Sequence, residues 1–131
     1  MNIGLDTSVV LRLLVGEPRD QFKRAEAFLN EVVSRGDQAV ISDLVVSEVY
    51  FALQHHYGVS KAAALNFLAD AFDSGELKPL GAALDILKTP GLATAKPGFI
   101  DRLIHVEYLK AADEVVTFEK ASAKLRATRV L

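Results

Sequence analysis

Short apolar runs that alternate with longer stretches of helical period restrict the possible folds more than anything else in this chain. Ile3 and Leu5 alternate with smaller or polar neighbours as far as Asp6, which predicts a short strand ending on an acid. Thr7 and Ser8 offer helix caps before the run Val9-Val10-Leu11-Arg12-Leu13-Leu14. Gly16 and Pro18 break that run, and Pro18 suits the first turn of a second helix. On this helix Phe22, Ala25, Phe28, Leu29, Val32 and Val33 recur at helical spacing, stopping near Gly36. Gln38 to Ser42 reads as a strand, Asp43 to Tyr57 as a long helix closed by Gly58, and Ser60 as the cap of an Ala- and Leu-rich helix ending near Gly75. Glu76 to Leu80 predicts a third strand, Gly81 to Lys88 one or two helical turns, and Gly91 to Gly98 the most loop-like stretch. Phe99 to Ala111 is helical again, followed by strands at Val115 to Phe118 and Thr128 to Leu131. Strands alternating with helices imply an α/β fold with a mainly parallel central sheet flanked by helices.

Size sets the number of cores. A chain of 14.2 kDa would expose roughly 6,800 Å² when folded against about 20,600 Å² when extended. Burying two-thirds of its surface gives one complete core, so residues 1–131 are expected to form a single domain. Half the residues are apolar and 24% are charged, which excludes a disordered chain. The absence of cysteine excludes disulfides, thiol nucleophiles and thiolate zinc sites. No apolar run is long enough to span a bilayer and the first six residues do not resemble a signal peptide, so a cytoplasmic protein without membrane contact is expected. The formal charge of -2 advertises no general grip on nucleic acid, so any phosphate chemistry needs local basic patches or bound cations.

The acids carry most of the functional signal. Asp6 closes the first strand immediately before a helix, where open α/β sheets place their ligands, although it also suits a cap for that helix. Glu48 falls within the stripe Leu44, Val45, Val49, Ala52 and Leu53, where a charge is costly unless paired, to Arg12 for example, or bound to a cation. Asp101 lies in the first turn of the last long helix, where the helix dipole also favours a carboxylate. Glu119 follows the strand Val115 to Phe118 as Asp6 follows the first. Four carboxylates converging in one cleft would repel unless a divalent cation lay between them, and hard oxygen donors without Cys or paired His select Mg²⁺ or Mn²⁺. Such a site suits phosphodiester hydrolysis, because the metal acidifies bound water and neutralises phosphate.

Leu5-Asp6-Thr7-Ser8-Val9-Val10-Leu11, Ser47-Glu48-Val49, Gly98-Phe99-Ile100-Asp101 and Val116-Thr117-Phe118-Glu119-Lys120 together resemble the PIN-domain nucleases. Their order and spacing are closest to the VapC-type toxins of toxin–antitoxin pairs. The resemblance implies a three-layer fold and a Mg²⁺- or Mn²⁺-dependent endoribonuclease, usually a homodimer inhibited by a cognate antitoxin. It assigns Asp6, Glu48 and Asp101 as core acids and metal ligands, and Glu119 to the fourth position, where the family more often has Asp. Thr7 or Ser8, and Thr117, match small polar residues that orient carboxylates or waters. The alternative is a catalytically weak or inactive PIN-like module that acts through protein or RNA binding.

Other residues are less informative. Adjacent helical residues point about 100° apart, so His55 and His56 make a poor shared metal site and suit a solvent-facing role. His105, four residues after Asp101, shares its side of the helix and reads as a surface histidine or an aid to the acids. Arg12, Arg19, Lys23 and Arg24 form a basic stretch near the first acid, and Lys120, Lys124, Arg126 and Arg129 another after the fourth. Arg12, Lys120 and Lys124 are the candidate RNA contacts. Phe22, Phe28, Phe51, Phe67, Phe72 and Phe118 mostly sit at core spacing, and Tyr50, Phe51 and Tyr57 are candidates for a dimer or antitoxin surface. A haloacid-dehalogenase-type phosphatase would need an Asp where Ser8 stands, and the acids are wrongly ordered for a receiver domain.

Overall fold

The computed structural model describes all of residues 1–131. Its strands are β1 (Asn2–Gly4), β2 (Gln38–Ile41), β3 (Leu77–Pro79), β4 (Val115–Thr117) and β5 (Thr128–Val130). Its helices are α1 (Thr7–Val15), α2 (Arg19–Ser34), α3 (Asp43–His55), α4 (Lys61–Asp73), α5 (Ala83–Leu87) and α6 (Phe99–Leu109), with a 3₁₀ turn over Lys120–Lys124. The expected α/β architecture is present and every strand pairing is parallel. The ladder divides, however, into a sheet ordered β1-β2-β3 and a separate β4-β5 pair.

Parallel pairing brings the carboxyl ends of the strands to one edge. The Leu5 N–H donates to the Val40 carbonyl at 3.0 Å and the Leu80 N–H to that of Ile41 at 2.9 Å. These bonds extend the ladder one residue past β1 and β3, so Asp6, Ser42-Asp43 and Gly81 all emerge along that edge. In the second sheet the Leu131 N–H donates to the Thr117 carbonyl at 2.9 Å, and Glu119 emerges two residues beyond β4.

Helix ends follow local chemistry. The Ser42 hydroxyl accepts the Val45 N–H at 3.2 Å and that of Ser60 accepts the Ala63 N–H at 3.1 Å, capping α3 and α4. Gly16 closes α1 in the left-handed region at φ 80°, where a side chain would be strained. Pro18 stands one residue before α2, at its N-cap. Helix α2 covers β2, α4 covers β3, α6 reaches β4, and α1 and α4 both pack against α3. The largest fully buried side chains are Val10, Val32, Ile41, Val46, Val49, Leu53 and Leu68.

Helix α3 corrects one expectation. Its buried residues are Val46, Val49, Tyr50 and Leu53, whereas Leu44 is 79% exposed and Glu48 is also exposed. The face carrying Leu44 and Glu48 points outward, so Glu48 is not a charge on a buried stripe. Val49 and Leu53 belong to either choice of face, and packing selects the one that includes Val46 and Tyr50. Tyr50 is therefore a core residue, edge-on to Phe99 with ring centroids 5.2 Å apart, and not part of a partner surface. Phe51 remains exposed and stacks on His55, and Tyr57 is exposed too.

The accessible surface is 7857 Å², above the roughly 6,800 Å² expected for this mass. Part of it is apolar: Leu44, Leu80, Ile104, Tyr108 and Phe118 are all substantially exposed. Among the phenylalanines placed at core spacing, Phe72 is buried, whereas Phe28, Phe51, Phe67 and Phe118 reach solvent.

Candidate active site

Asp6 occupies the N-cap position of α1 with extended backbone at φ -79° and ψ 163°. Its carbonyl accepts the N–H groups of Val9 and Val10 at 3.1 and 3.2 Å, while its side chain makes no capping bond. The carboxylate is exposed and takes part in no ion pair. A side-chain cap does not account for this acid. The adjacent Thr7 Oγ1 is buried without a hydrogen-bond partner, an arrangement normally costing about 1–3 kcal/mol. Thr7, the first residue of α1 rather than its cap, thus holds a spare polar atom beside Asp6.

Asp101 lies in the first turn of α6, exposed and without a side-chain hydrogen bond or ion pair. Next to it, the Arg102 Nε donates to the Pro97 carbonyl at 2.8 Å, which ties the start of α6 to the preceding loop. Glu48 is likewise unpaired, and Arg12 does not meet it, because the Arg12 Nε donates to Gln21 Oε1 at 2.6 Å instead. Glu119 is more committed: its Oε1 accepts the Ala121 N–H at 3.1 Å and caps the 3₁₀ turn. The Thr117 Oγ1 accepts the Glu119 N–H at 3.0 Å, so Thr117 fixes the backbone that presents this acid.

These acids do not close into a cage. No group of three or more His, Cys, Asp or Glu side chains is placed to hold a metal ion. Asp6, Glu48, Asp101 and Glu119 are all exposed, Glu48 on the solvent-facing side of α3. The donor chemistry, by contrast, suits a hard cation, since Asp6, Glu48 and Asp101 present carboxylates with no internal partner.

His105 is a second correction. It is buried, and its Nε2 lies 2.6 Å from the Arg126 carbonyl, to which it donates, joining α6 to the segment before β5. It is not a surface histidine. Arg129 pairs with Glu114 at 2.6 Å, which removes it from the basic stretch, while Lys120 and Lys124 remain exposed and unpaired.

Two features escaped the sequence reading. Asp43 follows β2 as Asp6 follows β1, so the same strand-end rule would have found it. Its Oδ1 is buried without a partner, and its carboxylate packs so closely on Gly81 that a side chain there would collide. It borders an apolar cleft of about 450 Å³ lined by Leu44, Leu80, Ile104 and Tyr108. At the rim, Lys110 donates to Glu107 at 2.9 Å, and this bond raises the lysine's pKa, with further contributions from the charges of Glu107 and Asp43. A second cleft, about 490 Å³, lies between α1 and α2 and includes Ser8, Arg12, Gln21, Arg24 and Phe28.

The PIN domain family model matches residues 3–127. The chain belongs to the PIN domain family, whose members are typically nucleases, and a general nuclease role follows. No curated protein sequence and no solved structure matches the chain. No helix is long and apolar enough to cross a membrane.

Proposed function

We propose that this protein is a Mg²⁺- or Mn²⁺-dependent endoribonuclease, the toxin of a toxin–antitoxin pair. The observation that carries the proposal is the pair of uncommitted carboxylates, Asp6 and Asp101, within a chain whose PIN match spans residues 3–127. A bound cation supplies a more acidic water and a counter-charge for phosphate. Asp6 and Asp101, with Glu48 as a third candidate, would hold it. With no preformed three-carboxylate group, one or two of these side chains would hold the cation, and water and substrate phosphate would complete the set, the mode Mg²⁺ commonly adopts. Thr7 and Ser8 orient the Asp6 region. Thr117 and the capping residue Glu119 shape the neighbouring edge, with one Glu119 oxygen already engaged by the Ala121 N–H. Arg12, Lys120 and Lys124 hold flanking RNA phosphates.

The toxin reading also calls for protein partners, a second copy of the chain and an antitoxin. The exposed apolar side chains Leu44, Leu80, Ile104 and Tyr108 around the apolar cleft beside Asp43 support such a partner, because patches of this kind mark interaction surfaces. A cytoplasmic location accords with that role.

The test incubates purified protein, freed of any partner, with structured cellular RNAs and Mg²⁺ or Mn²⁺, alongside Asp101→Asn. Discrete fragments from the wild type alone support the proposal. Intact RNA in both lanes favours the alternative of an inactive PIN-like binding module, to which the capping role of Glu119 already lends some weight.

A further inference from the structure

We infer that the cleft between α1 and α2 is a binding subsite for single-stranded RNA, with Arg12 and Arg24 holding one backbone phosphate and Phe28 supporting the adjoining base. The inference rests on the nuclease reading for the identity of its ligand. The cleft itself, of about 490 Å³, brings two guanidinium groups together from different helices, and no carboxylate lines it. Neither arginine belongs to any ion pair in the protein. Two like charges facing one cavity repel each other, and an anion relieves that repulsion. The Arg12 side chain is half-buried, and its Nε is fixed by Gln21 Oε1 at 2.6 Å. That bond orients the guanidinium while leaving its terminal nitrogens free, the fork that suits a phosphate.

Phe28 supplies the aromatic component. Its spacing on α2 predicts a core position, yet it is 39% exposed and lines the same cleft. An exposed aromatic face beside paired cations is the combination that binds single strands without reading their sequence. The cleft also connects with the acid site through the chain. Ser8, two residues after Asp6, lies at one end, and Arg12 stands about 9 Å from Asp6 along the helix axis at 1.5 Å per residue. That axial separation sets Arg12 apart from the acid, so the subsite is expected to govern substrate affinity rather than the chemical step.

The test measures the anisotropy of a labelled single-stranded oligoribonucleotide in EDTA, where cleavage is suppressed. The proteins are the wild type, Arg12→Ala, Arg24→Ala, the double variant, Phe28→Ala and Arg35→Ala. Arg35 lies just past α2 but is already paired with Glu31 and Asp37, so it is the control. Each single arginine variant is expected to bind several-fold more weakly. The double variant should reduce the slope of log affinity against log salt by about 0.7, the value for one phosphate contact on a single strand. Phe28→Ala should weaken binding with little change in slope. Melting curves confirm that each variant is folded, and Arg12→Lys retains the charge if Arg12→Ala does not fold.

A double variant matching the wild type in affinity and slope overturns the subsite, as does a wild type that fails to bind RNA at low salt. A glutamate-rich peptide that binds in an arginine-dependent way, with RNA binding unchanged, overturns it in favour of a protein partner. Arginine-dependent RNA binding without cleavage under Mg²⁺ or Mn²⁺ preserves the subsite and counts against the nuclease reading. Cleavage with unaltered binding by the arginine variants does the reverse.

Discussion

The Oε1 atom of Glu119 accepts the backbone N–H of Ala121 at 3.1 Å, and the N–H of Glu119 itself donates to Thr117 Oγ1 at 3.0 Å. An acid expected at a metal site is therefore also the cap of the turn that carries the chain from β4 towards β5. Removing it should be visible in stability as well as activity. Glu119→Ala is expected to cost about 1 kcal/mol, within the usual range for a lost cap. For a chain of this size that lowers Tm by roughly 3–6 °C. Glu119→Asp retains a side chain that caps well and should melt close to the wild type. Thermal denaturation of the two variants checks this; an unchanged Tm for Glu119→Ala would show the cap to be dispensable.

Asp101 predicts the opposite balance. Its carboxylate is exposed and has no side-chain partner, so the fold owes it little beyond the helix dipole. Asp101→Asn should lower stability by no more than about 1 kcal/mol while removing RNA cleavage. Parallel melting and cleavage assays separate the two effects, and a folded variant with full activity would remove Asp101 from the site.

His105 stabilises a junction. Its Nε2 reaches the Arg126 carbonyl at 2.6 Å from a buried position on α6. His105→Ala leaves that carbonyl without its partner and opens a void, and should cost about 1–3 kcal/mol from the lost bond alone. Denaturant unfolding measures it. RNA cleavage at a temperature where the variant is folded should stay near the wild-type rate, which a catalytic histidine would not permit.

The sequence displays this architecture where period and punctuation agree. Helix α4 runs from the cap at Ser60 to Gly75, and β1 and β2 are short runs cut off by Asp6 and by the Ser42 cap, so these were readable directly. Helix α3 was not. Leu44, Val45, Val46, Val49, Tyr50, Phe51 and Leu53 are apolar on nearly every side, and a helix that is greasy all round does not declare its inner face. Only packing against α1 and α4 turns Val46 and Tyr50 inward and leaves Leu44 and Glu48 in solvent. The same limit hid Phe28, whose spacing on α2 fits a core position while the observed packing leaves it on the α1–α2 cleft. Strand-end acids were legible one at a time, at Asp6 and Glu119. Their separation into two hydrogen-bonded sheets depends on long-range pairing, which no local pattern encodes.

Metal binding provides a test independent of any RNA. A cation held only by the folded protein stabilises it by RT ln(1 + [L]/Kd), about 2.7 kcal/mol at a hundred times Kd. Mn²⁺ at saturation should therefore raise the wild-type Tm, EDTA should reverse the rise, and Asp6→Asn or Asp101→Asn should diminish it. Because neither carboxylate has an internal partner, the variants should match the wild type in EDTA to within about 1 kcal/mol. A wild-type Tm indifferent to Mn²⁺ would count against the metal-dependent mechanism.

Tyr50 sets an alkaline limit on the fold. Burial raises its phenol pKa above the ordinary 10.0, an effect only partly offset by Gln54. Between the unfolded and folded pKa values the native state holds a proton that the unfolded chain has released, so stability falls as pH rises. The contribution is fully present below about pH 10 and is lost progressively as pH climbs through the raised folded value. Tyr50→Phe removes this titration while keeping the edge-on contact with Phe99, whose ring centroid lies 5.2 Å away. Melting curves recorded from neutral pH into the alkaline range should fall less steeply for Tyr50→Phe than for the wild type. Parallel curves would place the alkaline sensitivity in other groups.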